Sequence, residues 1–319
     1  MTDDYNGNTL TKTDTTGTTQ YAWDFENRLS SITLPGSGGT VTFKYDPFGR
    51  RIYKSSSSGT SIFGYDAGNA LLEETNSTGA VVARYAQGLN IDEPLAMLRS
   101  GTTSYYQADG LGSVTSLSNS SGANAQTYTF DSFGNLTGST GTLTNSFRYT
   151  AREFDAETNL YFYRARYYDP SIGRFTREDP LRFGAGDPNF YSYVSQNPVT
   201  FTDPLGRSRI YGNWCGPNWT GGLKESFNPA HVKDYKRPID SVDEGCMHHD
   251  ICYFNCRGSH PCNPDARADC FRTCDNLLTA EIPTKGFWGI VIWWGIELHV
   301  KPNPESNLSC GCYNVTPLK

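Results

Sequence analysis

Phe43-Lys44-Tyr45-Asp46-Pro47-Phe48-Gly49-Arg50 alternates aromatic and polar residues and then closes in a turn containing Asp and Gly. The pattern returns at Phe63-Gly64-Tyr65-Asp66-Ala67-Gly68 and at Tyr128-Thr129-Phe130-Asp131-Ser132-Phe133-Gly134. Looser copies stand at Tyr21-Ala22-Trp23-Asp24, Ala83-Arg84-Tyr85, Ser104-Tyr105-Tyr106 and Phe147-Arg148-Tyr149. Successive aromatic positions 45, 65, 85, 106, 130 and 149 lie 20, 20, 21, 24 and 19 residues apart. Alternation at period two specifies a strand, and the Asp/Gly cluster specifies the turn that ends it. A unit this short cannot bury its own apolar face, so neighbours must stack into a solenoid or wrapped sheet. The aromatics read as core and ladder residues, and no catalytic constellation stands out in residues 1–150.

Composition agrees with a strand-rich chain. Of 319 residues, 37% are hydrophobic and 19% charged, with 32 Gly, 17 Pro and 20 Tyr. The charged fraction is below the ~25% usual for soluble domains. The formal net charge of −6 argues against sequence-independent nucleic-acid binding, which needs excess Lys and Arg. No apolar run is long enough to span a bilayer. Met1–Leu10 is polar and lacks the apolar segment of a secretory signal, so the expectation is secretion, or delivery to a target cell, by a non-classical route. All nine Cys lie between Cys215 and Cys312, and all five His lie there too. The chain therefore joins two unlike modules near residue 208. The second is small enough to need cross-links and reads as disulfide-stapled.

Between the modules, Asn159-Leu160-Tyr161-Phe162-Tyr163-Arg164-Ala165-Arg166-Tyr167-Tyr168-Asp169-Pro170 leads through Asp179-Pro180-Leu181 to Asp203-Pro204-Leu205-Gly206-Arg207. This text resembles the end of the core of Rhs proteins, and the repeats before it resemble their YD repeats, whose strands wrap into a hollow shell. The resemblance covers roughly residues 1–207: a YD/Rhs repeat segment over 1–150 and a core-associated junction over 151–207. It holds too few repeats to close a shell. It implies that a variable toxin follows the last Asp-Pro-x-Gly. It also implies that Asp179 and Asp203 are the pair able to cut the chain just after Arg207, releasing a fragment that begins at Ser208. Two carboxylates sharing a proton suit such chemistry, one activating water and the other protonating the amide. Arg207 stands where the family usually has Leu, and Arg182 stands where the first Asp-Pro motif usually has Gly.

In residues 208–319, Ser241 with Glu244 makes a capping box, and Asn263-Pro264 opens a second helix. Val242, Cys246, His249, Tyr253 and Cys256 step by 4, 3, 4 and 3 and so share one helix face. Cys252 and Cys256 are spaced like Cys270 and Cys274. On two antiparallel helices this predicts Cys252–Cys274 and Cys256–Cys270 bridges, which bring Asp275 close to His249. The run Asp243-Glu244-Gly245-Cys246-Met247-His248-His249-Asp250-Ile251-Cys252-Tyr253 resembles the core of secreted phospholipase A2. The loop Trp214-Cys215-Gly216-Pro217-Asn218 resembles that family's calcium loop.

The resemblance implies a small, disulfide-stapled α-helical domain and hydrolysis of the sn-2 ester of membrane glycerophospholipids. In it, His249 is the catalytic base, Asp275 orients it and Tyr253 supports it. Ca²⁺ is held by Trp214, Gly216, Asn218 and Asp250. It also implies a Cys215–Cys246 bridge and leaves Cys262, Cys310 and Cys312 to be assigned. Gly245, where the family has Cys, removes one family disulfide. The apolar Gly286–Val300 run has no family counterpart and reads as a buried strand pair or helix, or else as an interfacial anchor, since Trp288, Trp293 and Trp294 suit the headgroup zone. The expected partners are phospholipids, an immunity protein and secretion components, with no nucleic acid. A silent membrane-binding or receptor-binding module, and a nuclease toxin of the kind common at this position in Rhs proteins, are the other readings.

Overall fold

The computed structural model describes residues 1–182 and 187–207, Pro229, and two helices at 241–259 and 264–281. Within the helices, side chains are described for 246–259 and 266–274. The chain divides into two compact units, Met1–Arg209 and Ile210–Lys319.

The first unit carries a 14-stranded antiparallel sheet in strict chain order, from β1 (Thr2–Asp3) to β14 (Leu136–Gly141). The repeats make it so, each supplying one or two strands. Inward residues Tyr21, Phe43, Phe63, Tyr85 and Tyr128 are buried, while their neighbours in sequence face outward. The Asp of each Tyr-Asp pair builds the turn. Asp46 Oδ1 accepts the N–H groups of Phe48 and Arg50, both at 2.9 Å, and Asp131 does the same for Phe133 and Asn135. These turns need a left-handed residue in fourth position, supplied by Gly49 (φ +79°), Asn69 (φ +68°) and Gly134 (φ +86°).

The last polar-tipped side chain of a repeat strand has a second task. Trp23 Nε1 donates to the Thr9 carbonyl at 2.8 Å, and Tyr45 Oη to Leu29 at 2.8 Å. Tyr65 Oη donates to Arg51 and Gln87 Nε2 to Leu71, both at 2.9 Å. Each repeat is thus keyed to the strand that begins the previous turn of chain.

A second sheet joins β15 (Glu153–Asp155), β16 (Leu160–Tyr163), β17 (Arg166–Asp169) and β18 (Arg174–Phe175) in that order. The residues of β16 and β17 are buried throughout, because both faces are covered. Leu160, Phe162 and Tyr167 share a core with Tyr21, Leu29, Ile32, Val41 and Phe43 of the large sheet. On the other face Tyr161, Tyr163, Tyr168, Phe175 and Tyr193 form an aromatic cluster with ring centroids 4.4–6.4 Å apart. The hydroxyls of Tyr149, Tyr168 and Tyr161 donate to the carbonyls of Ser132, Phe133 and Gly134, pinning one repeat turn. The junction therefore packs as part of the repeat unit.

Arg51 is the polar bolt between the sheets. Its buried guanidinium donates to Glu153 at 2.8 Å and to Asp155, and lies over the rings of Phe162 (4.6 Å) and Phe63 (5.0 Å). Removing one member of a buried ion network leaves its partners desolvated without compensation, at about 3–5 kcal/mol. Arg51→Met is expected to destabilise this unit by that order, read as a lower urea midpoint. An unchanged midpoint would show that Lys54, 3.1 Å from Asp155, is sufficient alone.

Candidate functional site

Two groups of side chains carry chemistry, one in each unit. The first gathers around Arg166, the opening residue of β17. Its Nη2 lies 2.6 Å from Asp179 Oδ2 and 3.3 Å from Asp203 Oδ2. Its Nη1 donates to the Phe190 carbonyl at 2.9 Å and its Nε to the Gly206 carbonyl at 2.6 Å. The guanidinium rests 3.6 Å from the centroid of Phe175. All three charged residues are at most 4% exposed. One nitrogen thus holds both expected aspartates.

Each aspartate also opens a turn, and the two turns match. Asp179 Oδ1 accepts the Leu181 N–H at 2.8 Å and its carbonyl accepts the Arg182 N–H at 2.9 Å. Asp203 Oδ1 accepts the Arg207 N–H at 2.9 Å and its carbonyl accepts the Gly206 N–H at 3.1 Å. Arg182, which replaces a family glycine, takes a glycine-like backbone with φ +48°. Gly206 has φ +64°, and a Cβ there would fall 2.2 Å from the Tyr163 carbonyl oxygen. Only glycine permits that approach. Arg207 is exposed, so its guanidinium is not buried where the family has an apolar residue.

The segment after Asp203 is gripped at three successive carbonyls. Arg164 Nη1 donates to Pro204, the Ala165 N–H to Leu205 at 3.2 Å, and Arg166 to Gly206. Arg164 is in turn held by Asp92 at 2.7 Å. Burial pushes the Asp179 carboxyl up to about 6, opposed by Arg166 and the Leu181 N–H and assisted by Asp203. Arg166 itself is depressed by burial, with Asp203 and Asp179 opposing.

The second group lies on α1 (Ser241–Ser259) and α2 (Pro264–Glu281). Helix α1 runs one residue past Gly258 before it ends. Cys252 is bonded to Cys274 and Cys256 to Cys270, with Cα–Cα distances of 5.8 and 5.7 Å. Cys246 is buried and disulfide-bonded. Its expected partner Cys215 lies outside the described residues. The His249 ring packs 4.3 Å from Tyr253, which stacks on Phe271 of α2 at 4.4 Å and 9°. His249, Asp250 and Tyr253 are half-buried, and His248 is exposed.

Other expected site residues fall outside what is described. These are Trp214, Gly216 and Asn218, the side chain of Asp275, residues Gly286–Val300, and Cys262, Cys310 and Cys312. Of the expected calcium ligands only Asp250 is described. Among the described residues the one cluster of three possible metal ligands is Cys252, Cys256 and Cys274, whose sulfurs are in disulfides. These soft donors are not the expected calcium ligands, which are oxygens.

No family model matches the chain. It is 34% identical over 211 residues to a tRNA3(Ser)-specific nuclease WapA of Bacillus spizizenii, covering 64% of this chain and 9% of that protein. It is 28% identical over 204 residues to a probable deoxyribonuclease RhsA of Dickeya dadantii, covering 60% and 14%. A 59-residue stretch is 42% identical to the toxin protein Tse5 of Pseudomonas aeruginosa, covering 18% and 4%. The chain thus spans a small part of the length of the curated relatives it matches. The structure of the Photorhabdus luminescens Tc holotoxin pore shares the fold, with a TM-score of 0.54 and 23% identity over 68% of this chain and 11% of that one.

These relatives overturn the lipid reading. Two are named as nucleases, so the phospholipase A2 activity, its phospholipid partners and the exclusion of nucleic acid are all corrected. The physical reason is that cysteine spacing and helix caps specify a cross-linked helix pair, whatever that pair acts on. Net charge misled as well. Residues 208–319 hold eleven Lys and Arg against twelve Asp and Glu, so most of the acidic excess belongs to the repeat unit. In its ordered antiparallel meander and in its curated relatives, the β-rich unit is similar to toxin regions of the Rhs/YD-repeat type.

Proposed function

We propose that this chain is the cargo-bearing region of an Rhs-type toxin. Its first unit cuts the chain behind Arg207, and its second unit, once free, acts on nucleic acid in a target cell. The observation that carries the first half is the placement of Asp179 and Asp203 on one nitrogen of Arg166, beside the segment to be cut. The names of the relatives support the second half.

The residues divide the work as follows. Arg166 and Arg164 hold the carbonyls of Gly206 and Pro204, so the strand leading to the scissile bond is fixed before reaction. Asp203 anchors the Arg207 N–H and, ionised, accepts a proton from the attacking water. The water oxygen adds to the Arg207 carbonyl carbon. Asp179, protonated up to about pH 6, gives its proton to the leaving Ser208 nitrogen as the C–N bond breaks. The products are a carboxyl group on Arg207 and an amine on Ser208. Arg166 keeps the two carboxyls together, while burial and the neighbouring Asp203 keep the proton on Asp179 against the pull of that cation.

A gel of the purified full chain is expected to show a fragment of about one third of its length, beginning at Ser208 by N-terminal sequencing. Asp179→Asn and Asp203→Asn should each abolish it, and Gly206→Ala should slow it by displacing the gripped segment. A fragment that persists in both aspartate variants would assign the cut to an outside protease.

Because Asp179 must carry its proton, the cleavage rate should fall about tenfold per pH unit above about pH 6. A rate that rises with pH across that range would remove Asp179 from the acid's role.

For the second unit, His249 is the proposed proton acceptor at the nucleic acid. The cleaved chain is expected to degrade tRNA or DNA, and His249→Ala should lower the rate by ~10²–10⁴-fold. Intact tRNA and DNA after incubation with the cleaved chain would overturn this assignment without touching the cleavage reading.

A further inference from the structure

We infer that Cys252, Cys256, Cys270 and Cys274, once their two disulfides are reduced, form a tetrathiolate site for a soft divalent cation of the zinc class. The inference rests on the helix pair alone and is independent of the cleavage and nuclease readings.

The backbone already has the frame of such a site. Across the helices the paired Cα atoms are 5.8 and 5.7 Å apart. Along each helix, residues four apart are separated by about 6 Å of rise. Four cysteine Cα atoms therefore stand at the corners of a near-square.

The sulfurs converge inside it. Those of Cys252, Cys256 and Cys274 all lie within 4.8 Å of one another, and Cys256 Sγ is 3.4 Å from Cys274 Sγ, to which it is not bonded. Cys270 Sγ is bonded to Cys256. A tetrahedral zinc thiolate has Zn–S bonds of about 2.3 Å, which places its sulfurs roughly 3.8 Å apart. Reduction lets each bonded pair relax outward toward that spacing, while the third contact is already near it. Cys256 and Cys274 are buried, whereas Cys252 and Cys270 are half-buried, so a cation has an approach to the open side.

The chemistry balances with a dithiol reductant. Each disulfide takes up two electrons and two protons from one dithiol, which closes to its own disulfide. Two such exchanges give four thiols. Binding one M²⁺ then releases four protons as the thiols ionise, and leaves a site of charge −2. The cation replaces two covalent cross-links with four metal–sulfur bonds between the same residues. The helix pair then has one cross-linked form for oxidising surroundings and another for reducing ones. Calcium does not compete, because it takes oxygen ligands.

The test is a Co²⁺ titration of the full chain, reduced with a phosphine that does not bind the ion. One equivalent should give sulfur-to-cobalt charge transfer and the intense visible bands of tetrahedral cobalt, and zinc should displace it. Cys252→Ser and Cys270→Ser should each weaken binding by more than ~100-fold, exceeding the loss typical of outer-shell changes. Cys246→Ser should leave the spectrum unchanged. Cys252→Ser and Cys270→Ser each keep one inter-helix disulfide before reduction, so far-ultraviolet circular dichroism in the oxidised state reports whether they fold. Absence of the thiolate spectrum in the reduced wild-type chain would overturn the inference. So would its persistence in a folded Cys270→Ser chain.

Discussion

The guanidinium of Arg166 sets two carboxylates, Asp179 and Asp203, at one nitrogen in a buried pocket. Everything around it serves that placement. The aromatic cluster of β16, β17 and β18 supplies the ring of Phe175 on which the guanidinium lies. The Asp-Pro turns aim both acids inward, and the Phe190 and Gly206 carbonyls accept from Nη1 and Nε. Two like charges in low dielectric repel strongly, and a single cation cannot neutralise both. The arrangement therefore favours a proton on Asp179, which is the state that the proposed cleavage requires.

Much of this fold was legible in the sequence because it repeats. The Tyr-Asp pairs, the 19–24-residue spacing and the turn glycines specify successive antiparallel strands, and the sheet runs in chain order as they imply. The Cys252/Cys256 and Cys270/Cys274 spacing was likewise readable, since an i, i+4 pair on each helix permits one antiparallel register. Arg166 was not legible. It is one arginine among several in this stretch of sequence, and nothing local distinguishes it from Arg164 or Arg174. Its role follows from contacts thirteen and thirty-seven residues further along the chain. The activity of the second unit was misread for the opposite reason. A short run of residues that satisfies a helix, its cap and its cross-links does not by itself carry the chemistry of the family it resembles.

The Asp-Pro turns show how a departure from a family pattern is absorbed. Arg182 occupies a glycine's place and keeps the glycine's backbone, at a cost of about 1–2 kcal/mol for a left-handed non-glycine residue. Gly206 has no such latitude, because the Tyr163 carbonyl fills the space a side chain needs. The first turn faces solvent on that side and the second faces the β16–β17 connection. The same four-residue motif thus tolerates substitution in one copy and forbids it in the other.

The two helix bridges also fix how the C-terminal unit behaves when it is not folded. They close nested loops with sequence separations of 22 and 14 residues. While both bonds persist, an extended chain cannot run in single file through this region. It must fold back on itself, so that two backbones travel abreast from Cys252 to Cys274. A passage wide enough for one extended polypeptide cannot admit this region until the sulfurs are parted, whereas the stretch from Met1 to Trp214, which contains no cysteine, meets no such obstacle.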